Sequence, residues 1–162
     1  MLKSSQPFIA FVALGSNLGD RHHNMALALE KLACIPGCTV VAHSGWIETQ
    51  AVGMEPDTPC FLNGVAKIRG KGLSSRDLLA ALQQIECETF KRGDKGHNRS
   101  RAMDLDLLLY NEEVCNSVEL ILPHPRLHQR RFVLEPLSEV APNLTIPTMG
   151  KSVIELLISL SD

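Results

Sequence analysis

The segment RAMDLDLLLY at residues 101–110 constrains the fold of this chain most strongly, because it places two carboxylates inside an apolar run. In an extended strand, alternate residues share a face. Asp104 and Asp106 are therefore predicted to project together from one side of a strand. The other side is expected to enter a core through four apolar side chains, those of Met103, Leu105, Leu107 and Leu109.

The two acids are candidate ligands of a metal ion. Neighbouring carboxylates repel one another unless a cation neutralises them, and an oxygen-only pair with room for water favours Mg²⁺ over zinc or a soft metal. The alternative interpretation is a sheet edge whose outer face is simply solvated. The pair by itself does not separate the two.

A basic segment lies just before the acids. From Lys91 to Arg101 the chain reads KRGDKGHNRSR, whereas the whole protein has a formal net charge of −2. A glycine-containing basic loop beside paired acids suits an anion that arrives with its own metal, and a nucleoside triphosphate is the commonest such ligand. A solvated run of charge is the alternative. The overall charge does not favour nucleic acid as a partner.

Length and composition predict one domain over residues 1–162. A chain of 162 residues with 44% hydrophobic content is large enough for a continuous core. The sequence has no apolar run of about 18 residues and no cleavage pattern after its start, so we expect no membrane span, no signal peptide and a cytosolic location. The five cysteines form an odd set without CxxC, which favours reduced core thiols: Cys34, Cys38, Cys60, Cys87 and Cys115.

The pattern of elements predicts an α+β fold with an antiparallel sheet flanked by helices. Asp20 and Ser74 are expected to begin helices that run to about residues 33 and 89. Strands are predicted at 8–14, 39–48, 61–68, 103–110 and 120–122, with a hairpin at 111–113. A short apolar segment follows at 132–134, and a terminal helix is expected to begin near Ser152.

The segment FLNGV at 61–65 is a candidate binding surface. Alternation puts Phe61 and Asn63 on one face, where an aromatic plane beside an amide suits a flat heterocycle. An ordinary strand with Phe61 in a core is the alternative.

The segment PHPR at 123–126, continued by Arg130, Arg131 and Phe132, is a second candidate. Its prolines stiffen a turn that presents an imidazole and guanidinium groups, a candidate phosphate contact. A capped surface turn is equally compatible with this segment alone.

Taken together, these segments resemble the 6-hydroxymethyl-7,8-dihydropterin pyrophosphokinase family of folate biosynthesis. The resemblance runs almost end to end, through ALGSNLGDR at 13–21, ET with VG at 48–53, FLNGV at 61–65, QxIE at 83–86, RxMDLDLLLY at 101–110, LPHPR at 122–126 and RxFVLxPLxExAP at 130–142. It implies a ferredoxin-like α+β fold. It also implies transfer of the terminal pyrophosphate of ATP to the hydroxymethyl group of the pterin, with AMP as the other product.

The resemblance further implies roles for individual residues. It places two Mg²⁺ ions on Asp104 and Asp106, with Asp104 also near the pterin hydroxyl. The pterin slot would be formed by Thr49, Val52, Phe61, Asn63 and Phe132. ATP would be surrounded by Gln83, Glu86, Arg101, Leu107, His124 and Arg130. The implied partners are these two small molecules, with no nucleic acid or membrane, and we expect a monomer.

The chain departs from the family pattern in the loop before the acids. The usual GRxR start and Trp-Gly-Pro-Arg end are replaced by FKRG at 90–93 and NRSR at 98–101, so the aromatic lid over the pterin is missing. Arg92 and Arg99 lie one and two positions from the expected cations. Either they contact the phosphates together with Arg101 after a shift of the loop, which is the expectation we adopt, or closure of the loop is less effective.

Two other functions stay open on the sequence. A non-catalytic ferredoxin-like module that keeps the pterin slot would have lost its metal carboxylates, yet both are present. A metal-dependent phosphohydrolase needs a water-positioning base next to the acids, and His97 and His124 are the only candidates.

Overall fold

The computed structural model describes residues 6–50, 57–91 and 102–160. Within these ranges the chain forms, in order, β1 (Pro7–Ser16), α1 (Arg21–Ala33), β2 (Cys38–His43), β3 (Ile47–Thr49), β4 (Phe61–Lys71), α2 (Ser75–Glu88), β5 (Asp104–Tyr110), β6 (Cys115–Asn116), β7 (Ile121–Leu122), a 3-10 turn at Leu127–Gln129, α3 (Arg131–Val140) and α4 (Val153–Ser159).

The main sheet has the strand order β2-β4-β1-β5, with the short strand β3 paired to β4. Each of its pairings is antiparallel. The units β1-α1-β2 and β4-α2-β5 interleave, so that β4 and β1 lie at the centre and β5 lies at one edge. This is the βαββαβ ferredoxin-like arrangement, and it confirms the predicted α+β fold.

Different helices cover the two faces of the sheet. On the α1/α2 face, side chains of β1 pack against both helices in a core that includes Val12, Leu14, Met25, Leu32, Leu78 and Leu82. On the α3/α4 face, a second core includes Phe11, Val65, Leu134, Leu137 and Leu156. Alternation along β1 supplies both cores from one strand, because neighbouring residues point to opposite faces.

The predicted helix starts are confirmed by their caps. The Asp20 carboxylate accepts the His23 N–H at 3.1 Å. Ser74 and Asp77 form a reciprocal capping box with hydrogen bonds of 3.1 and 3.2 Å, and Ser152 caps α4 in the same way. These bonds satisfy N–H groups that have no partner inside the helix.

The predicted alternation in β5 is wrong for one of its four apolar residues, Leu109. Val12 pairs with Leu107 and Phe11 with Leu109, so the register shifts and Leu108 is an extra residue. Leu107 lies in the α1/α2 core as expected, but Leu109 lies in the core of the opposite face. A bulge of one residue reverses the side-chain alternation beyond it.

The end of the chain differs further from expectation. Residues 132–134 belong to α3, a helix that was not predicted from the sequence and that contains Pro136, although proline normally disfavours a helix interior. The predicted turn at 111–113 after β5 is present, since the Glu113 N–H donates to the Tyr110 carbonyl at 3.0 Å. The strand that follows this turn, β6, pairs with β7 in a separate hairpin.

All five cysteines fall in the described ranges and are free thiols. The prediction that they mostly lie in the core is wrong, because only Cys38 is buried and both Cys34 and Cys87 are exposed. No helix within the described ranges is both long enough and apolar enough to cross a membrane.

Candidate active site

Asn63, Gly15 and Asp104 form a row across three adjacent strands. The register pairs Gly15 with Asn63 on β4 and with Asp104 on β5. Ala13, two residues earlier on β1, pairs with Asp106. Paired residues point to the same face of a sheet, so both acids lie on the α3/α4 face together with Asn63. The structure thus brings the two predicted surfaces to one place.

Phe61 and Asn63 lie close above the backbone of Gly15. A methyl group at Gly15 would stand 3.4 Å from Asn63 Oδ1 and 3.8 Å from Phe61 Cδ1. Asn63 is only 7% exposed, and its Nδ2 donates to Thr49 Oγ1 at 2.7 Å. Pairing of β3 with β4 sets Thr49 directly beside Phe61. Gly15 was not among the predicted site residues, although a glycine inside a strand often marks such a close approach.

His124, Arg130 and Phe132 lie on the Asp104 side of this row. The guanidinium carbon of Arg130 stands 5.4 Å from the centroid of the Phe132 ring. Arg130 and Asp104 are both close enough to His124 to influence its pKa. Phe132 is 36% exposed at the start of α3, so its ring is accessible to a ligand.

His124 is neutral at physiological pH. Its pKa is lowered from 6.5 to about 4, chiefly by burial and then by the positive charges of Arg130 and Arg126, while Asp104 acts in the opposite direction. Its Nδ1 accepts the Arg126 N–H at 3.2 Å, which leaves Nε2 to carry the proton. The site therefore holds a neutral imidazole that can donate a hydrogen bond.

The low pKa of His124 predicts an acid-sensitive stability. His124 takes up a proton more easily in the unfolded chain than in the folded one. The contribution of the neutral imidazole to the free energy of unfolding is therefore complete above pH 6.5 and is lost as the pH falls from 6.5 to about 4. After allowance for partial exposure of the ring, we expect a loss of about 1–2 kcal/mol. Thermal unfolding of wild type and His124→Asn across this interval measures it, and the variant is expected to lose less stability. Equal losses in both proteins would contradict the assignment.

A cavity of about 230 Å³ opens beside the edge strand β5. Its walls come from α2, β5 and the β6–β7 hairpin, and they include Leu79, Leu105, Asp106, Leu107, Leu120, Ile121 and His124. Leucine side chains line this cavity together with the polar groups of Asp106, Glu119 and His124, a mixture that occurs in small-molecule sites. Because Asp106 belongs both to the cavity lining and to the pair of acids, the cavity is a candidate position for a planar base next to the carboxylates.

Gln83 and Glu86 follow Leu79 at helical spacing along one side of α2. Gln83 is exposed, whereas Glu86 is only 5% exposed. The Glu86 carboxylate accepts the Leu105 N–H at 2.8 Å. Because Leu105 stands between the two acids, Glu86 fixes the backbone that presents them. The sequence did not predict this contact.

Asp104 and Asp106 offer two carboxylates to a metal ion such as Mg²⁺. Within the described ranges, no group of three or more His, Cys, Asp or Glu side chains is arranged to hold a metal ion. Two carboxylates on one face fit a cation that keeps waters and phosphate oxygens among its ligands, as Mg²⁺ does.

Four predicted site residues lie outside the described ranges. They are Val52, Arg92, Arg99 and Arg101, and the roles assigned to them stay predictions.

Comparison with known proteins identifies the family. A sequence model of the 7,8-dihydro-6-hydroxymethylpterin-pyrophosphokinase (HPPK) family matches residues 11–142. A 2-amino-4-hydroxy-6-hydroxymethyldihydropteridine pyrophosphokinase of Synechocystis sp. is 36% identical over 148 residues, which cover 91% of this chain and 74% of that protein. The enzyme of the same name from Bacillus subtilis is 41% identical over 132 residues, covering 82% of this chain and 77% of that protein.

Longer proteins contain a similar region. The folic acid synthesis protein fol1 of Pneumocystis carinii is 39% identical over 145 residues, which are 88% of this chain but only 19% of fol1. A crystal structure of Plasmodium falciparum HPPK-DHPS with pteroate matches with a TM-score of 0.74 at 12% identity, covering 98% of this chain and 43% of that one. This last likeness supports the fold, while the sequence matches show that the chain belongs to the HPPK family of pyrophosphokinases.

Proposed function

We propose that this pyrophosphokinase transfers the terminal pyrophosphate of ATP to the hydroxymethyl group of 6-hydroxymethyl-7,8-dihydropterin and releases AMP. The observation that carries the site assignment is the row of Asn63, Gly15 and Asp104 across β4, β1 and β5. It joins a surface for a flat heterocycle to a pair of carboxylates on one face of the sheet. The cavity beside β5 then supplies a place for the base of ATP next to the same carboxylates.

Phe61, Asn63 and Thr49 form the heterocycle side of the proposed site. The Phe61 ring offers a stacking surface. The Asn63 amide is held by its hydrogen bond to Thr49 Oγ1, so its donor and acceptor edge is fixed before a ligand arrives. Phe132 is proposed to supply a second aromatic surface from the start of α3. A pterin seated on Asn63 extends along the row toward Asp104.

The nucleotide side runs from the cavity to the acids. Asp106 lines the cavity and neighbours Asp104 on the same face, so a base between Leu79 and Leu107 directs its phosphates toward both carboxylates. Gln83 lies on the same side of α2 as Leu79 and is proposed to contact the nucleotide.

Positively charged and neutral donors complete the proposed phosphate site. Arg130 lies beside the neutral His124, and both are proposed to donate hydrogen bonds to phosphate oxygens. Arg92, Arg99 and Arg101 are proposed to approach from the preceding segment.

Asp104 and Asp106 are proposed to hold two Mg²⁺ ions. Bound cations would neutralise the charge of the triphosphate and the negative charge that develops on the departing AMP when the bond from the β-phosphorus to its oxygen breaks. The side chains then have to position two substrates, because phosphoryl transfer depends on alignment and electrostatics more than on covalent help. Asp104 lies where the two sides meet, so the pterin hydroxyl is presented beside it for in-line attack on the β-phosphorus.

An assay of nucleotide products tests this function. With Mg²⁺, ATP and the hydroxymethyl pterin, we expect AMP to form in step with the pterin diphosphate, and little AMP when the pterin is omitted. Formation of ADP and phosphate without the pterin would indicate a phosphohydrolase. Pterin binding without any AMP would indicate a non-catalytic binding module. Chelation of Mg²⁺ is expected to stop turnover.

We also propose that the chain acts in the cytosol as a monomer of one domain. Its five free thiols suit a reducing compartment. The two cores lie on opposite faces of one sheet and share its central strands, which favours a single folding unit.

A further inference from the structure

Arg21 links the two strands that frame the proposed pterin slot. Its Nη2 lies 2.6 Å from Glu48 Oε1, and its Nη1 donates to the Cys60 carbonyl at 2.9 Å. Glu48 directly precedes Thr49 in β3, and Cys60 directly precedes Phe61 in β4. One guanidinium thus joins the neighbours of two slot residues, although Arg21 itself belongs to neither strand.

The position of Arg21 in α1 does not favour a positively charged side chain. Arg21 is the first residue of α1, and a cation at a helix N-terminus is opposed by the helix dipole. The first turns of α2 and α4 contain the acids Asp77 and Glu155, whereas the first turn of α1, which is fully described, contains none. The side chain is only 24% exposed. Its contacts with Glu48 and Cys60 therefore offset an unfavourable position.

A second side chain of the same segment supports this link. Asn17, which is 1% exposed, donates from Nδ2 to the Pro59 carbonyl at 3.3 Å. Asn24 holds the turn between Asn17 and Arg21 by donating to the Leu18 carbonyl at 2.9 Å. The segment ALGSNLGDR, to which the sequence assigned no site residue, thus contacts both residues that precede Phe61.

We propose that Arg21 is a positioning residue for the pterin slot. By holding Glu48 and the Cys60 carbonyl together, it stabilises the β3–β4 pairing that sets Thr49 beside Phe61, and so orders the amide of Asn63 before the ligand binds. This inference rests on the proposed slot. The planar guanidinium reaches two acceptors at once, which an ammonium group does less well. The effect is selective, because the nucleotide cavity lies beyond β1 on the far side of β5.

Binding of each substrate to separate variants tests the proposal. In Arg21→Gln we expect the Kd for the hydroxymethyl pterin to rise about tenfold, since two hydrogen bonds of a charged group are lost. The Kd for Mg-ATP is expected to stay within about twofold, the order of error in such a comparison. Arg21→Lys is expected to recover part of the pterin affinity. In steady state the KM for the pterin rises while kcat changes little.

Lys31→Gln is the matched control, because it removes an exposed cation from the last turn of the same helix. The proposal would be overturned if Arg21→Gln bound the pterin as tightly as this control does. It would also be overturned if Arg21→Gln lost affinity for the pterin and for Mg-ATP equally. If Arg21→Gln fails to fold, Glu48→Gln is measured instead, with the same selective loss expected. Asn63→Ala separates the two hypotheses. If Asn63→Ala loses pterin binding while Arg21→Gln binds the pterin normally, only the positioning role of Arg21 is overturned. If Asn63→Ala itself binds the pterin normally, the proposed slot is overturned as well.

Discussion

Asp106→Ala is expected to lower the rate of AMP formation by about 10² to 10³-fold, the usual effect of removing one group that stabilises transition-state charge. Asp106 is half-buried, lies beside Asp104 on the α3/α4 face and lines the nucleotide cavity. Loss of its carboxylate removes half of the proposed metal site. The initial rate with saturating Mg-ATP and pterin measures the effect, and Asp106→Asn is expected to lose most of the activity too, because it keeps the size and loses the charge.

Glu112→Ala is the control for this prediction, since it removes an exposed acid beyond the opposite end of β5. Its rate is expected to match wild type. Thermal unfolding of each variant checks that the fold is retained. Unchanged AMP formation in a folded Asp106→Ala would refute the two-carboxylate metal site.

Phe61→Ala is expected to weaken pterin binding by about tenfold or more, because the stacking area of an aromatic ring is lost only to the heterocycle. The ring lies on the same face as Asn63, above Gly15, and is partly exposed. Calorimetric titration with each substrate measures the difference, and the affinity for Mg-ATP is expected to stay close to that of wild type.

Leu62→Ala provides the contrast on the same strand. Leu62 is buried in the α1/α2 core, so its truncation is expected to cost about 2–5 kcal/mol of stability. Phe61→Ala is expected to unfold near the wild-type temperature. If Phe61→Ala instead lost stability like Leu62→Ala and weakened both ligands equally, Phe61 would be a core residue.

Local patterns predicted the elements that depend on near neighbours. Asp20, Ser74 and Ser152 each cap a helix through a hydrogen bond to a residue three positions along. The alternation that put Asp104 and Asp106 on one face requires only that their segment be extended. Such features are visible in a sequence because each is complete within about one turn or a few strand residues.

Elements that depend on distant packing were predicted less well. The helix α3 contains Pro136 and is buried through Val133, Leu134 and Leu137, so contacts with the sheet stabilise it against its own composition. Because of the bulge at Leu108, Leu109 packs in the core of the α3/α4 face. No local sequence pattern indicated this bulge. The resemblance to a family supplied the overall fold in advance, but it did not supply these details.

The sequence by itself determined the residue types of the site and the face on which each neighbouring pair projects. Only the tertiary structure placed Gly15 between Asn63 and Asp104, because that row depends on the register of three strands joined through two helices. It also showed that Arg21 reaches a carbonyl 39 residues away and that Glu86 holds the N–H of Leu105. Register and such contacts are set by packing across the whole core, so they have no signature within any short segment.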